Sequence, residues 1–302
     1  MINIVGMSGG RSSLHLARKL QLMGYNPVCL FADTGFEHDE TYSFIKRCVS
    51  EFNLNAHFIR AEVNGEGVGN TPIELSIDDI GYRPETFAAH FAKYGTPTFH
   101  AKNCTDRLKG IVMDKWKDEN FGRKNYVTWT GFRADETRRI KDREQQLELV
   151  GFEADKKKVK VNTNQRYLAD ISEESKSDII KMWKDSDFDL GIGEHNGNCL
   201  FCIHKSCEKL ALSARENQEK ASDWIELVND SNVRTMPRNK QLPPDIMYRG
   251  YHSLNSIINT FKDYSNGDLA EAINKGRKFD SGSCSESCDP TPQLSLVLDD
   301  HY

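Results

Sequence analysis

The chain has 302 residues, which suits one large domain or two modest ones at roughly 100–200 residues each. Its 38% hydrophobic and 28% charged residues allow a sizeable core, while no apolar run approaches the ~18 residues that suggest a membrane span. A net charge of −5 gives no global attraction to nucleic acid.

The first 150 residues alternate simply. Ile2–Val5 reads as a short strand, and Ser13–Met23 as a helix with Leu14, Ala17, Leu20 and Met23 on one stripe, closed by Gly24. Residues 27–32 (PVCLFA) form a strand-length apolar run. Asp39–Phe52 reads as a second helix, with Asp39 and Glu40 in the first turn where they suit the dipole. Ala56–Ala61 is expected as a strand, Lys109–Trp116 as a helix and Tyr126–Thr130 as a strand. Strands alternating with helices predict an α/β fold, a parallel sheet with helices on both faces.

Residues 62–103 break this rhythm and read as an insertion of loops with a short helix near Pro84–Tyr94. Residues 150–170 suggest a hairpin, because Lys158–Val161 alternates. Helices are expected at Ser177–Trp183, over 208–230, and as one or two more over 252–275. The predicted organisation is a nucleotide-binding domain with a cysteine cluster over 1–210, a helical C-terminal region over 211–275 and a Ser- and Asp-rich tail over 276–302. No basic segment followed by an apolar one opens the chain, so a cytoplasmic protein without a membrane partner is expected.

The junction between the first strand and first helix carries Ser8-Gly9-Gly10-Arg11-Ser12-Ser13. A loop after a parallel strand lies at the carboxyl edge of the sheet, where open α/β folds bind ligands. The free N–H groups of the following helix make an anion site there. Gly9 and Gly10 permit close backbone approach, the three serines offer hydroxyl donors and Arg11 offers charge. The plainer alternative is a helix cap on a flexible turn.

Eight cysteines are present. In a long chain without a secretion signal they point to metal or redox chemistry rather than a disulfide framework. Cys199, Cys202 and Cys207 follow a C-x2-C-x4-C spacing, which places two thiolates on one ion and a third a short loop away. An iron–sulfur cluster, a zinc ion with His204 as an alternative ligand, and three metal-free cysteines all remain open. Cys284 and Cys288 form a C-x3-C pair behind Ser281-Gly282-Ser283. Cys29 and Cys48, inside a strand and a helix, read as core thiols. Arg133, Arg138, Arg139, Lys141 and Arg143, with the run Lys156–Lys160, read first as a solvated basic surface.

SGGRSS resembles the SGGxDS phosphate loop of the PP-loop ATP-pyrophosphatases, also called the adenine nucleotide alpha-hydrolase superfamily. The likeness continues through FADTGFEHDE at 31–40 with Thr41-Tyr42-Ser43-Phe44-Ile45, NCTDRLK at 103–109 and GFRADETR at 131–138. Tyr167-Leu168-Ala169-Asp170, Phe188-Asp189-Leu190-Gly191 and NCLFC at 198–202 extend it to about residue 210. These ordered motifs are similar to those of the PAPS reductase-like proteins, in the form carried by phages and mobile elements.

The resemblance implies that residues 8–13 hold the phosphates of an adenine nucleotide, ATP or a PAPS/APS-type sulfonucleotide. Ser12 stands where that pattern has Asp, removing a carboxylate associated with its metal–phosphate arrangement. Ala32, Asp33 and Thr34 would border the adenosine, with Asp33 accepting from a ribose hydroxyl or the adenine amine. Gly131 would approach the nucleotide and Arg133 neutralise its phosphate or sulfate, while Asp135, Glu136 and Arg138 form a salt-bridged scaffold. The resemblance also brings Cys104 beside Cys199, Cys202 and Cys207, giving four thiolates for a cluster, expected as [4Fe–4S].

The first functional expectation is an adenylating or sulfur-transfer enzyme that serves nucleic-acid modification or a sulfur-donor protein. A second is a sulfonucleotide reductase releasing sulfite. The chain lacks the ECG-type tail of those reductases, so only Cys284 and Cys288 could supply their catalytic thiol. A third is a non-catalytic, zinc-stabilised nucleotide-binding module.

Overall fold

Both faces of the central sheet are apolar, because neighbouring residues of each strand point to opposite sides. The computed structural model describes residues 1–99, 101–123, 125–137, 139–140, 164–235 and 243–276. Within them six strands form one sheet in the order β4-β3-β2-β1-β5-β6. They are β1 (Ile2–Met7), β2 (Val28–Asp33), β3 (Asn55–Glu62), β4 (Thr71–Leu75), β5 (Tyr126–Thr130) and β6 (Gln165–Tyr167). All neighbouring pairs run parallel except β3–β4. The expected mixed α/β architecture, with a mostly parallel sheet and helices on both faces, is therefore present.

Ile4, Val28, Leu30, Ala32, Ile59 and Ala61 point to one face, and Val5, Met7, Cys29, Phe31 and Phe58 to the other. The second face is covered by α1 (Arg11–Leu22), α2 (Asp39–Glu51) and α5 (Lys176–Lys184). α1 contributes Leu14, Leu16, Ala17 and Leu20; α2 contributes Tyr42, Phe44, Ile45 and Cys48. The first face meets α3 (Pro84–Tyr94), a π-helical turn (Thr105–Gly110) that leads into α4 (Ile111–Phe121), and the helices beyond residue 206. Those are α6 (Cys207–Glu216), α7 (Gln218–Asn229), α8 (Leu254–Thr260) and α9 (Asn266–Gly276). Leu210, Trp224, Leu254 and Leu269 belong to the same core as Ile4 and Val28, so the C-terminal helices are packed onto the sheet's own core.

Several elements depart from expectation. The irregular stretch after β3 contains β4, an antiparallel edge strand. Its burial alternates weakly, with Ile73 44% exposed, so the apolar pattern that reveals a strand is missing. The expected helix over 208–230 is two helices meeting at Asn217. The proposed hairpin over 150–170 is represented by β6, which pairs parallel with β5; Lys158–Val161 lies outside the described residues. So do Cys284, Cys288, Arg138, Lys141, Arg143 and the run Lys156–Lys160. Among the described residues, no helix is long and apolar enough to cross a membrane.

Candidate functional site

The strand order places a reversal of chain direction beside β1. From β1 the chain runs outward through β2 and β3, then returns to β5 on the other side. Such a switch point opens a crevice at the carboxyl ends of the strands. The loop after β1 and the loop after β5 flank it, and these are Ser8–Gly10 and Gly131–Arg133.

Gly9 sits at φ +79°, and Gly10 is the N-cap of α1 in extended conformation. α1 has no side-chain cap and no acidic residue in its first turn, leaving its positive end to the loop. The serines have a different role from the one expected. The Ser13 hydroxyl donates to the Gly10 carbonyl at 3.0 Å and accepts from the Ser8 N–H at 3.1 Å, closing the loop on itself. The Ser12 hydroxyl accepts from Arg133 Nη1 at 3.0 Å. All three serines are buried, so they shape the loop.

Arg11 is also redirected. Its guanidinium makes a two-pronged pair with Asp189, Nε to Oδ1 at 2.6 Å and Nη2 to Oδ2 at 2.9 Å. The expected phosphate charge is thereby engaged in anchoring the segment after α5 to the loop. Burial opposes ionisation of Asp189, but hydrogen bonds from Arg11 and the Leu190 N–H hold its carboxyl below the usual range. On the other side of α1, Glu174 accepts from His15 and Lys19, each at 2.8 Å, and fixes the helix against the segment after β6.

Gly131 does make a close approach, but to protein. A Cβ on it would lie 2.9 Å from the Ser13 nitrogen and 3.0 Å from the Ser12 carbonyl carbon. Glycine here lets the β5 loop touch the first turn of α1. Arg133 is 5% exposed and, besides Ser12, pairs through Nε with Asp135 at 3.0 Å. Glu136 accepts from the Arg133 N–H and from Arg139, both at 3.0 Å; Arg138, expected in this scaffold, lies outside the described residues.

Asp33 requires a correction. Its carboxylate is wholly buried and already takes four donors: the Gly35 N–H (2.8 Å), Tyr42 hydroxyl (3.0 Å), Arg60 Nη2 (2.5 Å) and Gly81 N–H (3.2 Å). Two oxygens with four partners have no room for a ribose hydroxyl. Ala32 is a core residue, and the Thr34 hydroxyl donates to Glu37 at 2.9 Å. The end of β2 is therefore a rigid polar knot. Glu37, also fully buried, continues it to Lys109 Nζ at 3.2 Å. Arg60 gave no sequence signal and Lys109 only its place at the end of the NCTDRLK motif; the sheet and the π-helical turn bring them to the acids.

A narrow cleft lies at this edge, lined by Gly9, Gly10, Arg11, Thr41, Glu194 and Asn198 among others. Glu194 is shared by Lys209 at 3.1 Å and Lys176 at 3.2 Å, so two cations accompany one acid at the rim. Asn198 holds a left-handed backbone (φ 57°) and leads directly into Cys199. Thr41 belongs to the segment at 31–45 that carries the resemblance, without a role of its own there; the Lys176–Glu194–Lys209 group was not singled out in the sequence. The usable signal was Thr41's place in the first turn of a helix that starts at the same sheet edge.

The cysteines come from two chain regions, and Cys104 lies near enough to Cys199 to act on its titration. Cys104 precedes the π-helical turn, and Cys199 and Cys202 flank a turn closed by the Cys202 N–H to the Cys199 carbonyl at 3.2 Å. Cys207 opens α6. Cys104, Cys199 and Cys207 pack against one core. Burial above all pushes the Cys199 thiol up, with Glu37 and Cys104 adding to it. Burial and Glu208 likewise raise Cys207. Thiolate ligands are the right chemistry for a cluster or zinc, but among the described residues no three His, Cys, Asp or Glu side chains stand in a metal-holding arrangement. His204 stacks edge-on with Phe99, ring centres 6.0 Å apart. Cys29 and Cys48 are buried core thiols as expected; burial lifts Cys29 to about 12 and Cys48 higher.

No protein-family model matches the chain. It is 36% identical, over 296 residues, to the "Uncharacterized nin region protein ORF290" of Escherichia phage lambda, covering 96% of this chain and 95% of that one. Identity at this level over nearly the whole of both chains makes the protein a member of the family of that phage lambda nin region protein.

Proposed function

We propose that this chain is an adenine-nucleotide enzyme of sulfur chemistry, similar to the PAPS reductase-like branch of the PP-loop ATP-pyrophosphatases. The observation that carries the reading is the uncapped start of α1. It meets the Gly131–Arg133 loop at the switch point and opens onto the cleft. A helix terminus without its own cap favours an anion through oriented N–H groups. In this reading Gly9 and Gly10 admit a phosphate to the backbone. Arg133, paired with Asp135 and bonded to Ser12, ties the β5 loop to the first turn of α1 behind the phosphate loop. Ser12 serves that tie as a neutral partner where the resembling motif has a carboxylate.

The chemistry favoured is adenylation: an acceptor oxygen attacks the α-phosphorus of ATP, the α–β bond breaks and pyrophosphate leaves. The thiol group of Cys104, Cys199, Cys202 and Cys207 is the proposed seat of a [4Fe–4S] cluster or zinc, supplying sulfur or redox chemistry when loaded. Its support is the C-x2-C-x4-C spacing and the nearness of Cys104 to Cys199, which follows Asn198 at the cleft. Nucleic acid is the proposed acceptor, and a sulfur-donor protein the alternative partner.

Calorimetry with ATP, APS and PAPS tests the nucleotide. Gly10 has φ −87° and ψ 160°, conformations open to other residues, so Gly10→Val is expected to fold while its side chain enters the cleft. Affinity should fall roughly tenfold or more; unchanged affinity removes the loop from the site. Rapid sulfite release from APS or PAPS, abolished by Cys284→Ser or Cys288→Ser, would replace adenylation with the reductase reading. Binding without turnover for any acceptor would leave a nucleotide-binding module.

A further inference from the structure

The cleft has one polar wall that the reading above leaves without a role. Thr41, in the first turn of α2, lines it together with Gly9 and Gly10. The residue is 2% exposed, and its hydroxyl is buried with no hydrogen-bond partner. Nearby buried hydroxyls are satisfied: Thr34 donates to Glu37 at 2.9 Å, and Ser213 to Asn196 at 2.7 Å. A hydroxyl taken out of water without a new partner is disfavoured, so such a group in a cleft calls for an acceptor from outside the chain.

The Thr41 side chain is also held in place. Its Cγ2 lies 2.5 Å from where a Cβ on Gly9 would stand, so the methyl occupies the space that glycine leaves open. Methyl and hydroxyl diverge from one stiff branched carbon, and fixing the first directs the second. The Thr41 N–H is bound to the His38 carbonyl at 2.8 Å. The backbone of α2 is not the attraction. His38 caps it by accepting from the Glu40 N–H, and Asp39 and Glu40 occupy its first turn, Asp39 paired with Lys220 at 2.6 Å. What α2 offers the cleft is the hydroxyl.

We infer that Thr41 Oγ1 donates a hydrogen bond to a tetrahedral oxyanion, a phosphate or sulfate group, held over the start of α1. The inference rests on the proposed reading that the cleft takes an anionic nucleotide. It adds a donor from a second element, so that the group is gripped from two sides. Gly9 is then required twice: for its positive φ, and for the room it gives the Thr41 methyl.

Thr41→Val keeps the branched shape and removes only the hydroxyl; Thr41→Ser keeps the hydroxyl. The full chain and both variants are titrated by calorimetry with ATP, APS, pyrophosphate and sulfate, and melted without ligand. The valine variant should melt at or slightly above the wild-type temperature. It should bind roughly ten- to a hundredfold more weakly than wild type, as expected for a lost hydrogen bond to a charged group. The serine variant should stay within a few-fold of wild type. A loss confined to ATP and pyrophosphate assigns the contact to phosphate; a loss confined to APS and sulfate assigns it to sulfate. Wild-type affinity in the valine variant, with ATP binding still lost in Gly10→Val, overturns the role of Thr41 and leaves the nucleotide reading intact. Thr41-dependent binding of pyrophosphate or sulfate without any affinity for ATP or APS supports the oxyanion contact and overturns the adenine nucleotide. No binding of any probe by wild type overturns both.

Discussion

Gly131 stands so close to the beginning of α1 that a methyl group on it would reach within 2.9 Å of the Ser13 nitrogen. This contact locks the loop after β5 to the loop after β1 and sets the width of the crevice between them. Gly131→Ala should therefore push the two loops apart, costing about 1–3 kcal/mol by overpacking against backbone that has little freedom to move. Chemical denaturation reads the stability and calorimetry the nucleotide. If the variant matches wild type in both, the contact has no part in forming the site.

Asp33 is expected to behave as a structural residue. Removing its carboxylate leaves Arg60, the Tyr42 hydroxyl and two backbone N–H groups without their acceptor. Asp33→Ala should destabilise the nucleotide-free protein by roughly 3 kcal/mol, the scale of breaking a buried ion pair. A variant as stable as wild type but deficient in nucleotide binding would restore Asp33 to direct contact with ligand.

The cysteine group gives a compositional test. Protein prepared without oxygen is expected to be brown, with iron and acid-labile sulfide near four each per chain for a [4Fe–4S] centre. Cys104→Ser, Cys199→Ser, Cys202→Ser and Cys207→Ser should each lose most of it. Zinc without sulfide would remove the cluster and keep the shared ligands; no metal at all would remove the centre.

His90 supplies a pH dependence. Burial pulls its pKa down to about 4, against the hydrogen bond it makes to Asn103 at 3.1 Å. The unfolded chain, with an ordinary value near 6.5, then binds more protons than the folded one between about pH 6.5 and 4. Stability is full above pH 6.5 and falls as the pH drops through that window, by about 3 kcal/mol in total from this group. Urea unfolding across the window should show the slope, and His90→Gln should flatten it. An unchanged slope in that variant would place the acid sensitivity elsewhere.

The local residue pattern shows the alternation of β1, α1, β2, α2 and β3, the Pro84–Tyr94 helix and β5, because the amphipathic helices carry an apolar stripe of period 3.6 and the strands are short apolar runs between turn residues. It also determined that Ser8–Ser13 and Gly131–Arg133 lie at one sheet edge, since loops that follow parallel strands share an edge. What the charged and polar residues of that edge do is set by long-range packing. Arg11 turns to Asp189, 178 positions away, Asp33 to Arg60, Glu37 to Lys109, and Ser12 to Arg133. A buried charge takes whichever opposite charge or donor the packing delivers, and that partner has no fixed spacing in sequence. The same holds for Thr41. Its residue type suits a helix start, but the burial of its hydroxyl beside Gly9 exists only once α2 has packed against the loop.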